Sequence, residues 1–238
     1  MYAGLVDLVG RARFEVACGQ PRSVADVLGS VGIPRCELGL LLVDGVCVAA
    51  DHRLVGGERL AAFPPFQRLP PDAHCSVWVT PPEPRRFVLD VHLGTLARRL
   101  RLLGFDAWYR THAPDRLLAE IAVRDDRILL SRDRQLLLRR AIVHGYCPRS
   151  NDPDQQLVEV ADRYGLAARQ EPLTRCVRCN GGLTAVSKAE ILEELPERTR
   201  GAFDTFARCS DCHQVYWPGA HTRALDRILS RVAPGAAW

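Results

Sequence analysis

The sequence predicts an α/β fold: a doubly wound parallel sheet followed by a zinc-binding module and preceded by a small α+β domain. From residue 86 onwards, short apolar runs of strand character alternate with stretches whose apolar residues recur at helical spacing. Two CxxC pairs come later in the chain. The first part instead mixes strand-like and helix-like runs with many turn residues. We therefore expect three modules, over residues 1–80, 86–170 and 171–238, the last of them with a C-terminal helix.

The N-terminal module is predicted from two strand-like runs, RARFEVA and GLLLVDGVCVA, on either side of the helix-like VADVLGSVG. Proline-rich passages follow at 64–71 and 81–84. Because proline is stiff and cannot donate a hydrogen bond to a sheet, these passages indicate a hinge to the next domain.

The middle module alternates strands and helices in the way that is typical of a parallel sheet with helices on both faces. The strand-like runs are RFVL, FDAWYR, RILLS and IVHGY. The first helix has leucines at positions 93, 96, 100 and 103 and a natural stop at Gly104. Pro114 and Asp115 begin the second helix, RQLLLRRA forms the third, and the fourth runs from Asp152 to Tyr164 before Gly165.

Three aspartates stand where this module would place a catalytic site. Asp90 ends the first strand, Asp133 follows RILLS, and Asp115 opens the helix between them. Ligands of open α/β sheets bind outside the carboxyl ends of the strands, so we expect these carboxylates to converge there around Mg²⁺ or Mn²⁺. Each acid alone could instead cap or start a helix, but the shared edge favours a metal site. Asp152 and Asp154 are weaker candidates for a supporting acid.

The positive charge of the chain is concentrated around these aspartates. Residues 83–150 carry 14 arginines against 8 acidic residues, whereas the segments on either side each have a net charge of −1. A cationic module that contains acids indicates a polyanionic substrate approaching a metal site. Lys188 is the only lysine, a bias that a GC-rich coding sequence explains, although it does not explain the clustering of arginine. The candidate phosphate ligands, expected to face solvent or substrate, are Arg98, Arg99, Arg101, Arg132 and Arg134.

The strongest motif is a pair of CxxC sequences, Cys176 to Cys179 and Cys209 to Cys212, separated by 29 residues. Four thiolates at this spacing bind structural Zn²⁺ tetrahedrally and leave no open position for catalysis. A redox pair or an iron–sulfur site is the alternative. The spacer is long for a plain ribbon and predicts an inserted helix in SKAEILEELPERTR. The remaining cysteines lack such pairing, and we interpret them as small buried hydrophobic residues: Cys18, Cys36, Cys47, Cys75 and Cys147.

The composition, with 47% hydrophobic and 25% charged residues, is that of a soluble globular protein. The most apolar stretch, LGLLLVDGVCVAA, is interrupted by Asp44 and is too short to span a bilayer. The N-terminus lacks the charged start and apolar centre of a secretory signal. We therefore expect no membrane association and a cytoplasmic location.

Several of these motifs together resemble one known family. FVLDVHLGTLARRLRLLGFDAWYR, PDRLLAEIA, RILLSRDRQLLLRR, the two CxxC pairs and VYWPGAH closely resemble the RNase domain at the C-terminus of the mut-7 exonuclease and its bacterial relatives, over about residues 86–229. The resemblance implies a PIN-like nuclease fold with an attached zinc ribbon. It also implies that Asp90, Asp115 and Asp133 take the metal-binding positions, with Ser131 where PIN-like chains commonly have Thr or Ser.

The N-terminal module resembles the ubiquitin-like β-grasp fold of small sulfur-carrier proteins. The similarity lies in SVADVLGSVGIPRCELGLLLVDGVCV followed by GGERLAAFPPF. Those carriers end in a Gly-Gly tail, whereas here the chain continues through PPFQRLPPD. This departure argues against sulfur transfer and favours a module that docks a protein partner.

Two functions are compatible with these features. The first is a metal-dependent ribonuclease, in which the aspartates bind Mg²⁺ or Mn²⁺ and the arginines neutralise RNA phosphates. RNA is preferred to DNA only through the family. The second is a protein that binds transfer RNA or single-stranded RNA without cleaving it. RNA bases would stack on Tyr216, Trp217 and His221. The alternative for these side chains is packing against the zinc module, which is slightly favoured for Trp217.

Overall fold

The structure is a computed structural model, and it describes residues 15–66, 75–168 and 171–217. Part of the predicted strand RARFEVA, part of the first proline-rich passage and the predicted C-terminal helix lie outside these residues. Within the described ranges, no helix has the length and apolar character needed to cross a membrane. The chain divides into two compact units, one made of residues 1–93 and 109–151, the other of residues 94–108 and 152–238.

The N-terminal part of the first unit has mixed α and β structure, as the sequence pattern predicts. Ser23 caps helix α1 (Val24–Ser30) by accepting a hydrogen bond from the Asp26 N–H at 3.0 Å. Its strands are β1 (Arg22–Ser23), β2 (Leu40–Val43), β3 (Val46–Cys47), β4 (Arg53–Leu54) and β5 (Leu60–Phe63). Three of them form an antiparallel sheet in the order β3, β2, β5, and β1 pairs separately with β4.

A parallel sheet forms the centre of the first unit, as the alternating pattern predicts. Strand β8 (Ile128–Leu130) runs parallel to both β6 (Arg86–Leu89) and β9 (Gly145–Tyr146). The register pairs Leu89 with Leu130, so β6 and β8 end side by side. The strand order of this sheet is β7 (Asp106–Tyr109), β6, β8, β9. The side chains of β8 and the last three residues of β6 are buried, which explains their continuous apolar sequence.

Helix α3 (Asp115–Arg124) packs against β6 and β8 with Leu118, Ile121 and Ala122 buried. The predicted helix RQLLLRRA is shorter than expected, because α4 (Arg134–Leu137) makes a single turn. The predicted strand IVHGY likewise narrows to the two residues of β9.

The second unit combines two helices of the alternating region with the cysteine-rich part of the chain. Helix α2 (Gly94–Leu102) packs against α5 (Pro153–Tyr164), which Asp152 caps and Gly165 ends in the left-handed conformation. The antiparallel sheet has the order β10 (Leu183–Val186), β11 (Phe206–Cys209), β12 (Val215–Tyr216). The spacer between the CxxC pairs folds as the short helices α6 (Lys188–Ile191) and α7 (Glu197–Arg200), with a 3-10 turn over Leu192–Glu194.

The interpretation of the unpaired cysteines is wrong for one pair. Cys47 and Cys75, which are 28 residues apart in the sequence, form a disulfide. Cys36 and Cys147 are buried free thiols, as predicted, and Cys18 is half-buried. The disulfide joins β3 to the segment that follows the first proline-rich passage.

The end of α2 depends on a glycine. Gly104 has φ +91°, its N–H donates to the Arg101 carbonyl at 2.9 Å, and the Phe105 N–H donates to the Leu100 carbonyl at 3.0 Å. This pair of bonds is the Schellman motif, in which a left-handed residue satisfies the last carbonyls of a helix. A Cβ at this position would lie 1.9 Å from the Glu171 carbonyl oxygen.

We expect Gly104→Ala to lower the free energy of unfolding by about 2 kcal/mol or more, because the side chain adds left-handed strain and a backbone clash. Chemical denaturation followed by circular dichroism measures this change. Gly201→Ala is the matched control, since Gly201 has φ −84° and open space around its Cβ position. Equal losses in the two variants would contradict this account of the helix end.

Candidate functional site

Asp90 is a buried carboxylate held in one orientation. It follows the last residue of β6 and is 4% exposed. Its Oδ1 accepts a hydrogen bond from the His92 N–H at 2.9 Å. Its Oδ2 accepts two more at 2.6 Å, from the Ser131 hydroxyl and the Arg132 N–H. Three donors around one buried carboxylate compensate for its loss of water.

Ser131 connects Asp90 with a second aspartate. The side chain is fully buried. Its hydroxyl oxygen accepts a hydrogen bond from the Asp133 N–H at 2.9 Å, and its O–H donates the hydrogen bond to Asp90. Asp133 is exposed and caps α4, its Oδ1 accepting from the Gln135 N–H at 2.8 Å. We call the carboxyl ends of β6 and β8, with Asp90, Ser131 and Asp133, the acid edge.

The topology places Asp115 toward the same edge of the sheet, the one formed by the carboxyl ends of β6 and β8. Helix α3 ends at Arg124, shortly before β8 begins at Ile128, and it packs along β6 and β8. The helix therefore runs back against the strand direction, and its first residue lies toward the carboxyl ends of the strands. Asp115 is exposed at the first turn of α3.

The convergence of Asp90, Asp115 and Asp133 on one metal ion stays a prediction. Among the residues that the structure describes, three or more potential metal ligands come together only in the cysteine group. Asp133 instead caps α4, and Asp115 occupies the first turn of α3. A helix N-terminus favours a carboxylate, which gives each of these side chains a local reason for its position.

The three predicted phosphate-binding arginines of α2 differ in their exposure to solvent. Arg98 is exposed, as expected. Arg99 is partly buried and forms an ion pair with Asp154 at 2.6 Å, so the predicted supporting acid holds an arginine within the second unit. Arg101 is 4% exposed, and the expectation that it faces solvent or substrate is wrong.

Arg101 is bonded to backbone carbonyls around the first CxxC pair. Its Nε donates to the Ala107 carbonyl at 2.9 Å, and its NH1 donates to the Val177 and Arg178 carbonyls at 3.2 and 3.1 Å. Burial lowers the pKa of its guanidinium, and the neighbouring Cys176 opposes that change. This arginine therefore joins α2 to the cysteine loop instead of binding RNA.

Arg132 and Arg134 are exposed beside the acid edge, as the sequence predicts. The backbone N–H of Arg132 donates to Asp90, and its guanidinium donates to the side-chain oxygen of Asn151. Arg134 is the first residue of α4. Both side chains lie within a few residues of Asp133, where a phosphate bound at the acid edge would need positive charge.

The four cysteines predicted to bind zinc do come together. Their Sγ atoms all lie within 4.8 Å of one another. Cys176 and Cys212 approach to 3.6 Å, and Cys179 and Cys209 to 3.4 Å. Tetrahedral Zn²⁺ with bonds of about 2.3 Å requires sulfur atoms about 3.8 Å apart, so this donor set fits the ion. With four thiols and no open position, such an ion stabilises the fold and supplies no catalytic chemistry.

Tyr216 belongs to the cysteine group and is not available to RNA bases. It is 8% exposed, and its hydroxyl lies 3.1 Å from Cys176 Sγ and accepts the Val177 N–H at 3.1 Å. Burial disfavours the Cys176 thiolate, but hydrogen bonds from Tyr216 and the Cys179 N–H outweigh it and lower the pKa of Cys176 to about 7. The predicted stacking role of Tyr216 is therefore wrong. Trp217 packs partly buried on a small apolar cluster, and His221 lies outside the described residues.

Asn180 is a structural residue of this group that we did not predict. Its Oδ1 accepts the Ala107 N–H at 2.9 Å, and its Nδ2 donates to Asp106 at 2.8 Å. Its φ of +77° is a conformation that asparagine tolerates better than most residues. An asparagine directly after a CxxC pair was the available sequence signal.

These features define a class of protein: an α/β domain with carboxylates at the ends of parallel strands, together with a four-cysteine metal-binding module. Comparison with protein-family models matches residues 85–229 to the Mut7-C RNAse domain and residues 3–70 to the Mut7-C ubiquitin domain. The first match covers more than half of the sequence, and the chain belongs to the Mut7-C RNAse domain family. Searches against curated proteins and against solved structures gave no match.

We expect Arg101→Met to lower the free energy of unfolding by about 2–4 kcal/mol, because three backbone carbonyls lose a charged donor and one of these hydrogen bonds is buried. Arg98→Met on the same helix is the control and should change stability by less than about 0.5 kcal/mol. Urea denaturation of both variants measures the difference. If Arg101 instead faced solvent, the two substitutions would have the same small effect.

We expect Tyr216→Phe to weaken zinc binding by about tenfold, because residues that hydrogen-bond a metal ligand tune its affinity. Competition with a chromophoric chelator measures the zinc affinity. Tyr109→Phe is the control, since the Tyr109 hydroxyl donates to the Val91 carbonyl at 3.1 Å in the first unit. An unchanged affinity in Tyr216→Phe would show that the hydroxyl does not support the cysteine ligands.

Proposed function

We propose that this chain is a metal-dependent ribonuclease that cleaves RNA phosphodiester bonds at a carboxylate-bound Mg²⁺ or Mn²⁺ site. The observation that carries the proposal is the linkage of Asp90 to Asp133 through Ser131, at the ends of paired parallel strands. It lies inside the residues that match an RNase domain. In this proposal residues 86–170 form a PIN-like nuclease domain, residues 171–238 a zinc-ribbon module, and residues 1–80 a ubiquitin-like domain that binds a protein partner.

The donor atoms at this side of the sheet suit a hard cation. Asp90, Asp115 and Asp133 supply carboxylate oxygens, which are the preferred ligands of Mg²⁺ and Mn²⁺. Asp90 uses three hydrogen bonds and keeps acceptor capacity, because two carboxylate oxygens offer about four lone pairs. The ion, when bound, would polarise the scissile phosphate and lower the pKa of the attacking water.

The protein's own contribution is positioning and charge. Ser131 and the Arg132 N–H hold the buried Asp90 carboxylate in place. Asp115 and Asp133 are exposed, and Asp133 keeps acceptor capacity beside the one bond that it accepts from the Gln135 N–H. Arg132 and Arg134 would neutralise phosphates next to the scissile bond, and the exposed Arg98 would contact phosphates elsewhere on the RNA. Arg99 contributes less in this proposal, because Asp154 already neutralises it.

We expect Asp133→Asn to reduce cleavage of total cellular RNA in the presence of Mn²⁺ by about 100-fold or more, because the site loses an anionic ligand. Circular dichroism and zinc content should not change, since Asp133 is exposed and distant in sequence from the cysteines. Asp162→Asn, which neutralises an exposed carboxylate on α5, is the control and should cleave like the unaltered chain.

The same assay separates the nuclease from an RNA-binding protein that does not cleave. The exposed Arg132 and Arg134 support binding in either case. Binding of transfer RNA or single-stranded RNA that survives EDTA, with no cleavage by the unaltered chain in Mn²⁺, would support the binding function and contradict the nuclease. A normal rate in Asp133→Asn would remove this residue from the mechanism.

A further inference from the structure

A buried ion pair joins the N-terminal residues to the segment after β9. Glu37 ends a 3-10 turn and is 0% exposed. Its Oε1 accepts hydrogen bonds from the Cys147 N–H and the Arg149 guanidinium, and its Oε2 accepts a second bond from Arg149, all at 2.9 Å. Two parallel bonds between a guanidinium and a carboxylate fix both groups in orientation as well as in position.

Arg149 has further partners that keep it in this place. Its guanidinium lies 5.0 Å from the centre of the Tyr146 ring and also donates to the Cys147 carbonyl. Burial alone would lower the pKa of this guanidinium, but the Glu37 carboxylate more than offsets burial and raises it. The Arg149 guanidinium therefore stays charged, and loss of Glu37 would leave that buried charge without its neutralising partner.

The segment that Glu37 holds, residues 147–151, borders the acid edge. The Ser131 N–H donates to the Tyr146 carbonyl at 3.2 Å, just before this segment begins. At the other end, Asn151 accepts a hydrogen bond from the Arg132 guanidinium. The backbone N–H of the same arginine donates to Asp90. Hydrogen bonds, together with the short backbone stretch from Arg149 to Asn151, thus connect Glu37 to the buried Asp90 carboxylate.

The surrounding contacts are close and numerous enough to exclude a loosely tethered N-terminal domain. A Cβ on Gly145 would lie 3.1 Å from Cys36 Sγ. The Val77 N–H donates to the Gly39 carbonyl at 2.9 Å, and the Arg85 guanidinium donates to the carbonyls of two prolines in the second proline-rich passage. In the described residues, this predicted hinge is therefore held by hydrogen bonds.

We propose that Glu37 is a positioning residue for the acid edge. The N-terminal domain is then needed for full cleavage activity. The inference rests on the proposed function, since positioning matters only if the acid edge is the reactive site. Removal of the Glu37 charge frees Arg149, and residues 147–151 then lose their fixed orientation. Arg132, whose guanidinium is hydrogen-bonded to Asn151, then changes position as well, and its N–H no longer holds Asp90 in place.

The test compares Glu37→Gln with Asp51→Asn in the full chain. Both substitutions remove one negative charge from the N-terminal part, but Asp51 is exposed. Amide hydrogen exchange is measured at Arg132, relative to the Leu129 amide, which donates to the His144 carbonyl within the sheet. Cleavage of an RNA oligonucleotide in Mn²⁺ gives kcat and KM at a temperature where circular dichroism shows both variants folded.

We expect Glu37→Gln to raise the Arg132 exchange rate relative to Leu129 by about tenfold and to lower kcat by about tenfold or more. KM should change by less than about twofold, because the exposed arginines still bind phosphate. Asp51→Asn should behave like the unaltered chain. A residue that only stabilises the fold would change the exchange of Arg132 and Leu129 together and leave the kcat of folded protein unaltered.

Unaltered relative exchange and unaltered kcat in folded Glu37→Gln would overturn the inference. If the unaltered chain does not cleave RNA, the proposed function fails, and unaltered relative exchange at Arg132 would still overturn the link from Glu37 to the acid edge. If Glu37→Gln does not fold, Arg149→Lys replaces it with the same expected results, because lysine keeps the charge but not the two parallel hydrogen bonds.

Discussion

The hydrogen bond from the Ser131 hydroxyl to the Asp90 carboxylate is the contact on which the candidate site depends. It forms because β6 and β8 run parallel in a register that ends both strands at the same level. The hydroxyl is shared, since its oxygen also accepts the Asp133 N–H. One small polar group therefore determines where a buried and an exposed carboxylate stand. An apolar side chain at this position would leave Asp90 short of a donor in a place that water does not reach.

Two buried charged residues connect distant parts of the chain in the same way. Glu37 accepts bonds from residues 110 and 112 positions later, and Arg101 donates to carbonyls 76 and 77 positions later. A buried charge needs several partners to offset its desolvation, and here those partners are mostly backbone groups of loops. Loops with few apolar side chains have little hydrophobic reason to adopt one conformation. The charged residues supply that constraint, one in each compact unit.

The sequence predicted the features that depend on local pattern. Continuous apolar runs indicated the strands β6 and β8, helical leucine spacing indicated α2, and cysteine spacing indicated the group that the structure brings together. It did not predict features that depend on distant partners. Arg101 lies off the leucine stripe of its helix, and only the cysteine loop explains its burial. Asp133 was predicted from the end of a strand, whereas its carboxylate caps α4, and the position in the sequence alone does not decide between these two roles.

The location of α2 limits where the chain can be truncated. This helix sits between two strand segments in the sequence, yet it clusters with α5 and the cysteine-rich residues. Cutting the chain after residue 170 would remove two of the three carbonyl acceptors of the buried Arg101 guanidinium. A fragment designed to keep α2 in its native environment must therefore also contain the cysteine loop, because a buried guanidinium without acceptors destabilises the fold.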